Sequence, residues 1–306
     1  MDANALGPVG RMATRVDLGA KVRAYVALTK PRIIELLLIT TVPTMFVAAV
    51  RVPSARLVLE TLVGGTLAAG GANAMNMVYD RDIDAVMNRT KRRPLVTGEV
   101  TPRAALVFAI ALELCAFVVF ATTVNVLSGV LALGATAFYV LVYTMWLKRS
   151  SRQNIVIGGA AGAMPVLVGW SAVTDHLALA PVVMFGIIFL WTPPHFWALA
   201  VRYREDYASA NVPMLPVVAE LPSVVRQICG YTLALWLCSL ALVPVAHMGW
   251  LYGAVAVVAG GAFFWKALSL RQDATPKAAM GMFGYSITYL TVLFVAMGLD
   301  ALIRHP

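Results

Sequence analysis

Three aspartates follow directly on an apolar stretch of the chain. The run LVGGTLAAGGANA leads into NMVYDRDID at residues 76–84, in which Asn76, Asp80 and Asp84 are spaced by four. This spacing places their side chains on one face of a helix, whereas Asp82 points away from that face. Carboxylate and amide oxygens at a water-accessible helix end suit Mg²⁺, which shares its other positions with water and phosphate. The stretch therefore predicts a magnesium site made of Asn76, Asp80 and Asp84.

Basic side chains follow the acids at once, in NRTKRRPL, as Arg89, Lys91, Arg92 and Arg93. A metal ion beside basic side chains is a common way to hold a diphosphate, because both neutralise the charge of the leaving group. A cytoplasmic loop is also rich in Lys and Arg, so the basic residues alone leave both interpretations open. Two further polar candidates, Lys148 and Asn154, lie between later apolar runs.

A second polar cluster lies in WTPPHFWALAVRYREDY, residues 191–207. His195, Arg202 and Asp206 recur there at helical spacing, which predicts one stripe running from the apolar region to its polar end. Pro193 and Pro194 are expected to loosen the helix just before His195, because proline removes a backbone donor. A buried histidine is more often structural than functional, so His195 is at this point a candidate and no more.

The elements that must position these residues are long apolar helices. The 306 residues are 60% hydrophobic and 13% charged, with a mean hydropathy of +0.79, against about 25% charged in soluble proteins. A lipid-exposed span must satisfy its own backbone, which favours helices over open strands. The sequence predicts an all-α integral membrane protein with residues 1–30 as an N-terminal segment and 31–306 as the membrane domain. Nine stretches approach the roughly 20 residues that cross a bilayer, at 33–50, 57–79, 103–123, 126–147, 154–173, 177–201, 227–246, 249–268 and 282–303.

The basic residues predict the orientation of these spans. Of 24 Lys and Arg residues, all but Arg51, Arg56 and Arg304 fall on the side that holds the N-terminus. The positive-inside rule therefore predicts a cytoplasmic N-terminus and explains the +9 net charge without nucleic acid as a partner. In this topology the ends of the second, fourth and sixth spans meet at the cytoplasmic face, which brings the two polar clusters together.

Glu113 is a further acid, near the middle of the third predicted span. A carboxylate at that depth is costly and by default marks a functional site, although the sequence shows no partner for it. A transporter with an ion path through Asp80, Asp84 and Glu113 is one alternative. The acids crowd one end of a span instead of spacing through the bilayer, which counts against a transporter.

The quoted segments resemble a known family. N-x-x-x-D-x-x-x-D, at Asn76, Asp80 and Asp84, is similar to the first aspartate motif of the intramembrane polyprenyltransferases that make quinones, haem O and related lipids. The similarity is more specific to the protohaem IX farnesyltransferases (haem O synthases), from TKPR at residue 29 onward. It rests on DRDIDAVMNRTKRRPL, YTMWLKR, NIVIGGAAGAMP, WTPPHFWALAVRYREDY and NVPMLP.

The resemblance implies a nine-helix bundle around a central cavity in the bacterial inner membrane, with its active site facing the cytoplasm. The implied reaction transfers the farnesyl group of farnesyl diphosphate to a vinyl group of haem B, with addition of water, and forms haem O for haem-copper oxidases. Mg²⁺ is the implied cofactor, bound by Asn76, Asp80 and Asp84, and a haem A synthase is an expected partner. The implied substrate-binding residues are Arg89, Lys91, Arg92, Arg93, Lys148, Asn154, His195, Arg202 and Asp206, with His195 on the haem side.

One departure from the superfamily bears on the site. Its members carry a second motif, D-x-x-x-D, at the equivalent of the sixth span, where this chain has Arg202 and Asp206. An arginine can bind phosphate oxygens directly, so Arg202 can contribute to diphosphate binding without a metal. The main alternative is a quinone-type aromatic polyprenyltransferase, which is expected to have both acids and no role for His195.

Overall fold

The computed structural model describes residues 17–49 and 52–304, which are helical with no strand among them. Residues 1–16 of the predicted N-terminal segment, and Arg51, lie outside the described residues. In chain order the helices are α1 (Leu18–Thr29), α2 (Pro31–Ala48), α3 (Ala55–Tyr79), α4 (Arg81–Val86), α5 (Pro94–Thr97), α6 (Pro102–Val119), α7 (Val126–Ala137), α8 (Lys148–Ser150), α9 (Asn154–Thr174), α10 (Leu179–Arg202), α11 (Arg204–Ser209), α12 (Leu215–Val218), α13 (Leu221–Val245), α14 (Trp250–Ser269) and α15 (Pro276–Arg304). Two π-helical segments, Phe120–Val124 and Phe138–Leu147, continue α6 and join α7 to α8.

Eight helices of the described residues are long and apolar enough to cross a membrane, which confirms the predicted multi-pass membrane protein. They are α2, α6 with its π-helical continuation, the run from α7 to α8, α9, α10, α13, α14 and α15. Helix α3 has 25 residues but is not among the eight. The total of nine spans and the side of the N-terminus therefore stay predictions.

Side-chain caps set where several helices begin. Ser54 accepts a hydrogen bond from the backbone N–H of Leu57 at the start of α3, at 3.2 Å, and Asn125 accepts one from Ser128 at the start of α7, at 2.8 Å. Such caps satisfy backbone donors that the first helical turn leaves free. The caps fix where α3 and α7 begin. The polar residues of α3 and of the segment after α7 lie at the other end of each helical run.

Both polar clusters lie where a long helix breaks. Helix α3 ends at Tyr79, and Asp80 has φ −88° and ψ 4° before α4 begins. The Asp84 N–H still donates to the Asp80 carbonyl, at 2.8 Å, so these two acids stay on one side of the chain. Helix α10 ends at Arg202 and α11 starts at Arg204. The predicted stripe through Asp206 is therefore wrong, because Asp206 belongs to a separate short helix.

Helix α10 runs unbroken through Pro193 and Pro194, so the predicted loosening before His195 is also wrong. The Thr192 hydroxyl donates to the carbonyl of Ile188 in this turn, at 2.9 Å. The two prolines lack the N–H groups that would bond to the carbonyls of Phe189 and Leu190, yet the turn keeps its helical form. The irregular backbone lies instead in the π-helical segment Phe138–Leu147, which periodicity did not predict.

The helices surround an apolar cavity. Helix α10 packs against α9, α13 and α15, while α2 packs against α9 and α15 and α3 packs against α6. The largest buried cluster fills the space among α9, α10, α13, α14 and α15. Residues of α2, α3, α7, α9, α10, α15 and the segment Phe138–Leu147 surround a cavity of about 510 Å³. The expected helical bundle around a central cavity is therefore present.

Glu113 on α6 has a neutral partner. The Thr136 hydroxyl of α7 donates to Glu113 Oε1, at 3.0 Å, while Oε2 makes no hydrogen bond with the described residues. Gly71 of α3 makes this approach possible, because a Cβ there would lie 2.6 Å from Oε1. Thr136 also lines the cavity. Glu113 thus joins α6 to α7 through Thr136 and lies against α3 at Gly71.

Candidate active site

The acids of the first cluster are buried in ion pairs. Asp80 is 0% exposed, and its Oδ2 accepts hydrogen bonds from Lys148 Nζ and from Asn76 Nδ2, the latter at 2.7 Å. Asp84 is 2% exposed and accepts a hydrogen bond from Arg93 Nη1 at 2.6 Å. The prediction of a water-accessible position is wrong for both, because the neighbouring helices and the loop after α4 cover them.

Lys30 is a site residue that the sequence analysis missed. It lies between α1 and α2 with a left-handed backbone, φ 53°, which is uncommon for a residue other than glycine. Its Nζ donates to Asn76 Oδ1 at 2.7 Å, and Asn76 Nδ2 also donates to Thr144 Oγ1 at 3.1 Å. The only available signal was a basic residue ahead of the first span, as in many cytoplasmic segments. Asn76 is thus a connector between a cation and an acid.

Positive charge is in excess at this end of the cavity. Burial, and then the charges of Arg93 and Lys148, lower the pKa of Lys30 to about 7, although Asp80 and Asp84 oppose this shift. Desolvation is the largest cause of this shift, and the charge excess itself is seen in the lining, where five Lys or Arg side chains face the single carboxylate of Asp84. Arg89 also lines this end. The cluster is therefore electrostatically prepared for an anion.

Asp82 does not share the buried position of the other two acids, although Arg149 connects it to one of them, since Arg149 Nη2 also lies 3.9 Å from Asp80 Oδ1. Its carboxylate is exposed and accepts two hydrogen bonds from the Arg149 guanidinium, both at 2.7 Å. The hydrogen bonds from Arg149 lower the pKa of Asp82 to about 2. Arg149 does not line the cavity, so this pair belongs to the outer surface of the same end.

The second cluster meets the first through the loop after α4. Asp206 accepts hydrogen bonds from the Asn88 side chain and from the Arg89 backbone N–H, each at 3.2 Å. The Arg202 guanidinium lies over the ring of Tyr203, 5.7 Å from its centroid. Asp206 thus anchors the loop that carries Arg89 and Arg93. The two polar clusters therefore meet, as the alternation of spans predicted. It does not line the cavity itself.

The predicted substrate-binding residues divide into two groups. Arg89, Arg93, Lys148 and His195 line the cavity, and Lys91, Arg92, Asn154, Arg202 and Asp206 do not. Asn154 is fully buried, and its amide nitrogen and oxygen have no hydrogen-bond partner among the described residues. Buried polar atoms normally have partners, and the next residue, Ile155, lines the cavity. Substrate binding by the residues of both groups stays a prediction.

The body of the cavity is apolar and aromatic around His195. The imidazole is stacked between Trp191 and Phe283, with ring centroids at 4.1 Å and 4.5 Å, and Phe196 meets it edge-on at 5.2 Å. Its Nδ1 lies 2.6 Å from the hydroxyl oxygen of Ser286. His195 lies seven residues before Arg202, about 10 Å along the helix. It therefore faces the cavity well inside the bundle.

Two tyrosines of the π-helical segment also line the cavity. Tyr139 and Tyr143 stack on each other, with centroids 5.5 Å apart and planes 17° apart. Thr144 of the same segment donates to the carbonyl of Tyr139, at 2.9 Å, and accepts from Asn76. π-Helical turns frequently occur at functional sites. The sequence carried no signal for them, because their positions depend on a local departure from 3.6 residues per turn.

The acids fit a magnesium ion that shares a phosphate ligand. Asp80 Oδ1 is buried and has no hydrogen-bond partner among the described residues, and Asp84 lines the cavity. No group of three His, Cys, Asp or Glu side chains in the described ranges could hold a metal alone. Mg²⁺ commonly takes one or two carboxylates and completes its shell with phosphate and water. Asn76 would have to release Lys30 before its oxygen could join.

A bundle of membrane helices around an apolar cavity, with buried acids and cations at one end, is the arrangement expected of an intramembrane prenyltransferase. The chain belongs to the UbiA prenyltransferase family, whose model matches residues 37–296. That span includes both polar clusters and His195.

Two relatives are similar along almost their whole length. A protein from Streptomyces coelicolor, named protoheme IX farnesyltransferase, is 55% identical over 292 residues, which cover 94% of this chain and 93% of the relative. One from Saccharopolyspora erythraea, named protoheme IX farnesyltransferase 1, is 54% identical over 307 residues and covers 99% of this chain and 96% of the relative.

Solved structures share the fold at low identity. A digeranylgeranylglyceryl phosphate synthase superposes with a TM-score of 0.77 at 15% identity, covering 92% of this chain and 99% of the other. A UbiA homologue from Archaeoglobus fulgidus, bound to GPP and Mg²⁺, gives a TM-score of 0.65 at 18% identity, again covering 92% and 99%. These likenesses establish the UbiA architecture of the bundle.

Proposed function

We propose that this protein transfers the farnesyl group of farnesyl diphosphate to a vinyl group of haem B, with addition of water, and so forms haem O. The observation that carries this proposal is one cavity whose cationic end is continuous with an apolar, aromatic body. A prenyl diphosphate needs both, because its headgroup is a polyanion and its tail is apolar. The names of the two bacterial relatives support haem as the acceptor.

The cationic end is suited to the diphosphate. Lys30, Arg93 and Lys148 would contact its oxygens, and Asp80 and Asp84 hold two of these cations in place. Charge-assisted hydrogen bonds of this kind are about twice as strong as neutral ones. Asp80 and Asp84 would also hold Mg²⁺, which when bound supplies positive charge to the leaving diphosphate. The allylic C–O bond then breaks where its electron pair is best stabilised.

The cavity body would hold the farnesyl chain and the haem. Tyr139 and Tyr143 line the cavity in the same segment as Thr144, which bonds to Asn76 of the cationic end, and their ring faces could stabilise an allylic cation. Haem would lie near His195, with Trp191 and Phe283 keeping the imidazole in one orientation. Haem held there would present its vinyl edge to the carbon that loses the diphosphate.

We further propose that the protein lies in the bacterial inner membrane with the acidic and basic end on the cytoplasmic side. Membrane lipid surrounds the bundle, and a haem A synthase is the expected partner that consumes the product. The exposed basic side chains Lys91, Arg92 and Arg149 near the cationic end support this orientation, because cytoplasmic loops are enriched in Lys and Arg.

The orientation can be checked by cysteine labelling in sealed cells, with the three native cysteines replaced. We expect a membrane-impermeant thiol reagent to label His176→Cys from outside and to leave Lys91→Cys unlabelled until the membrane is permeabilised. Both positions lie in loops of opposite ends of the bundle. External labelling of Lys91→Cys in intact cells would contradict a cytoplasmic active site.

The activity itself is tested on membranes supplied with haem B, farnesyl diphosphate and Mg²⁺. Haem O should appear by mass spectrometry in proportion to the protein present. A parallel reaction replaces haem B with an aromatic quinone precursor. Prenylation of that acceptor instead of haem would favour the quinone-type enzyme, and no prenylated product with either acceptor would overturn the assignment as a transferase.

A further inference from the structure

The contacts of Ser286 determine which nitrogen of His195 carries its hydrogen. Ser286 Oγ lies 2.6 Å from the carbonyl oxygen of Phe283 and 2.6 Å from His195 Nδ1. A hydroxyl has one hydrogen to donate, and the carbonyl can only accept. The hydroxyl therefore donates to Phe283, and Ser286 Oγ accepts a hydrogen bond from His195 Nδ1–H. The neutral imidazole then has its lone pair on Nε2.

The surroundings hold that nitrogen at the cavity. Trp191 and Phe283 cover the two faces of the imidazole, so only its edge is open. The Trp191 indole donates to the carbonyl of Ser286, at 2.8 Å, which ties the stacking ring to the same residue. Nε2 makes no hydrogen bond with the described residues, and His195 lines the cavity. A fixed, unprotonated nitrogen is thus presented to the substrate space.

Few other side chains around the cavity can accept a proton. Among the described residues its ionisable lining comprises five Lys or Arg side chains, three tyrosines, Asp84 and His195. Of the lining cations, Lys30 has a pKa lowered to about 7, but it donates to Asn76 Oδ1 at the cationic end. A phenol is a weak base. Asp84 is engaged with Arg93 at the cationic end. His195 is therefore the available acceptor in the apolar body, where the vinyl group would react.

We propose that His195 Nε2 accepts the proton of the water that adds to the substrate, and that Ser286 is the positioning residue that keeps Nε2 unprotonated. This inference rests on the proposed function and assigns a group to its last step. General bases act efficiently when they are held in the correct tautomer by a second hydrogen bond, as Ser286 does here for His195.

The step balances in atoms and electrons. The C1–O bond of farnesyl diphosphate breaks, and its electron pair leaves with the diphosphate. The terminal vinyl carbon bonds to C1, which leaves a positive charge on the vinyl carbon attached to the porphyrin. Water bonds to that carbon through oxygen, and its proton passes to Nε2. If Nε2 does not take the proton of water, the addition of water slows, and the cation can instead lose a proton from the neighbouring CH₂ to the released diphosphate. The product is then an alkene that is one water lighter.

The test compares His195→Gln and Ser286→Ala with the wild type, in purified protein given haem B, farnesyl diphosphate and Mg²⁺. We expect turnover to fall about 100-fold in His195→Gln and about tenfold in Ser286→Ala, with a several-fold rise in the ratio of alkene to alcohol in both. Ser286→Thr keeps the hydroxyl and should restore the wild-type product ratio. The matched control is Ser239→Ala, which removes another buried helix serine away from the cavity.

Product ratios are read only from protein that purifies folded, so the Ser286 variants decide the question if His195→Gln does not fold. An unchanged ratio of alkene to alcohol, even with slower turnover, would show a structural role for His195 and overturn the inference. A shifted Soret maximum per bound haem in His195→Gln would assign Nε2 to the iron and also overturn it. A wild type that forms no farnesylated haem would instead refute the proposed function, which is a distinguishable result.

Discussion

Replacing Asp80 or Asp84 by asparagine is expected to lower kcat by about 10²–10³-fold, the range typical for loss of a group that stabilises developing charge. Each carboxylate holds a cation at the end of the cavity that receives the diphosphate, and each is a candidate metal ligand. Asp82→Asn should change kcat by no more than about twofold, because its surface pair with Arg149 lies outside the cavity. Steady-state haem O formation with saturating substrates measures all three.

Because Asp80 is buried, its replacement should also lower the thermal stability of the protein. Asp80→Asn leaves the mostly buried Lys148 without its counter-charge, and breaking a buried pair in this way costs about 3–5 kcal/mol. Thermal unfolding in detergent should therefore show a lower midpoint for Asp80→Asn than for Asp82→Asn. Adding Lys148→Met to Asp80→Asn removes the unpaired charge, so it should recover stability but not turnover.

That double variant separates catalysis from folding. Recovery of turnover together with stability would mean that the Asp80 carboxylate serves only to neutralise Lys148. Equal losses in the variants of Asp80, Asp82 and Asp84, or full activity after Mg²⁺ is removed by a chelator, would refute the metal and diphosphate assignment.

We expect variants at the two ends of the cavity to lose different ligands. His195→Ala is expected to weaken haem retention roughly tenfold, because it removes the imidazole from an aromatic stack that faces the cavity body. Its affinity for a non-hydrolysable farnesyl diphosphate analogue should stay near that of the wild type. Asp80→Asn should show the reverse pattern in the presence of Mg²⁺, with analogue binding weakened at least about tenfold.

The Soret absorbance per mole of purified protein measures haem retention, and equilibrium binding measures the analogue. Phe185→Ala is a suitable control for aromatic removal, because this ring stacks on Phe189 and does not line the cavity. Unchanged haem content in His195→Ala, with normal turnover, would return His195 to a structural role. Loss of both ligands in both variants would show that the two ends do not act separately.

The sequence by itself was sufficient for the class of fold and for the location of the acids. Continuous apolar runs of membrane length determine helices, because only helices satisfy the backbone of a lipid-exposed span. The four-residue spacing of Asn76, Asp80 and Asp84 determines that they share a face, and the alternation of spans predicts that both polar clusters meet. These features depend on neighbours close in the chain, which periodicity reports well.

Only the tertiary structure decided which charges meet and which nitrogen faces the cavity. Lys148 reaches Asp80 across 68 positions, Asp206 reaches Asn88 across 118, and Ser286 reaches His195 across 91. No local pattern encodes such pairs, because they arise from how α3, α10 and α15 pack. The π-helical turn that brings Tyr139 and Tyr143 to the cavity likewise depends on packing against Gly158, where a Cβ would lie 2.3 Å from Tyr143. Packing then converts spaced acids into ion pairs and holds a solitary histidine in one orientation.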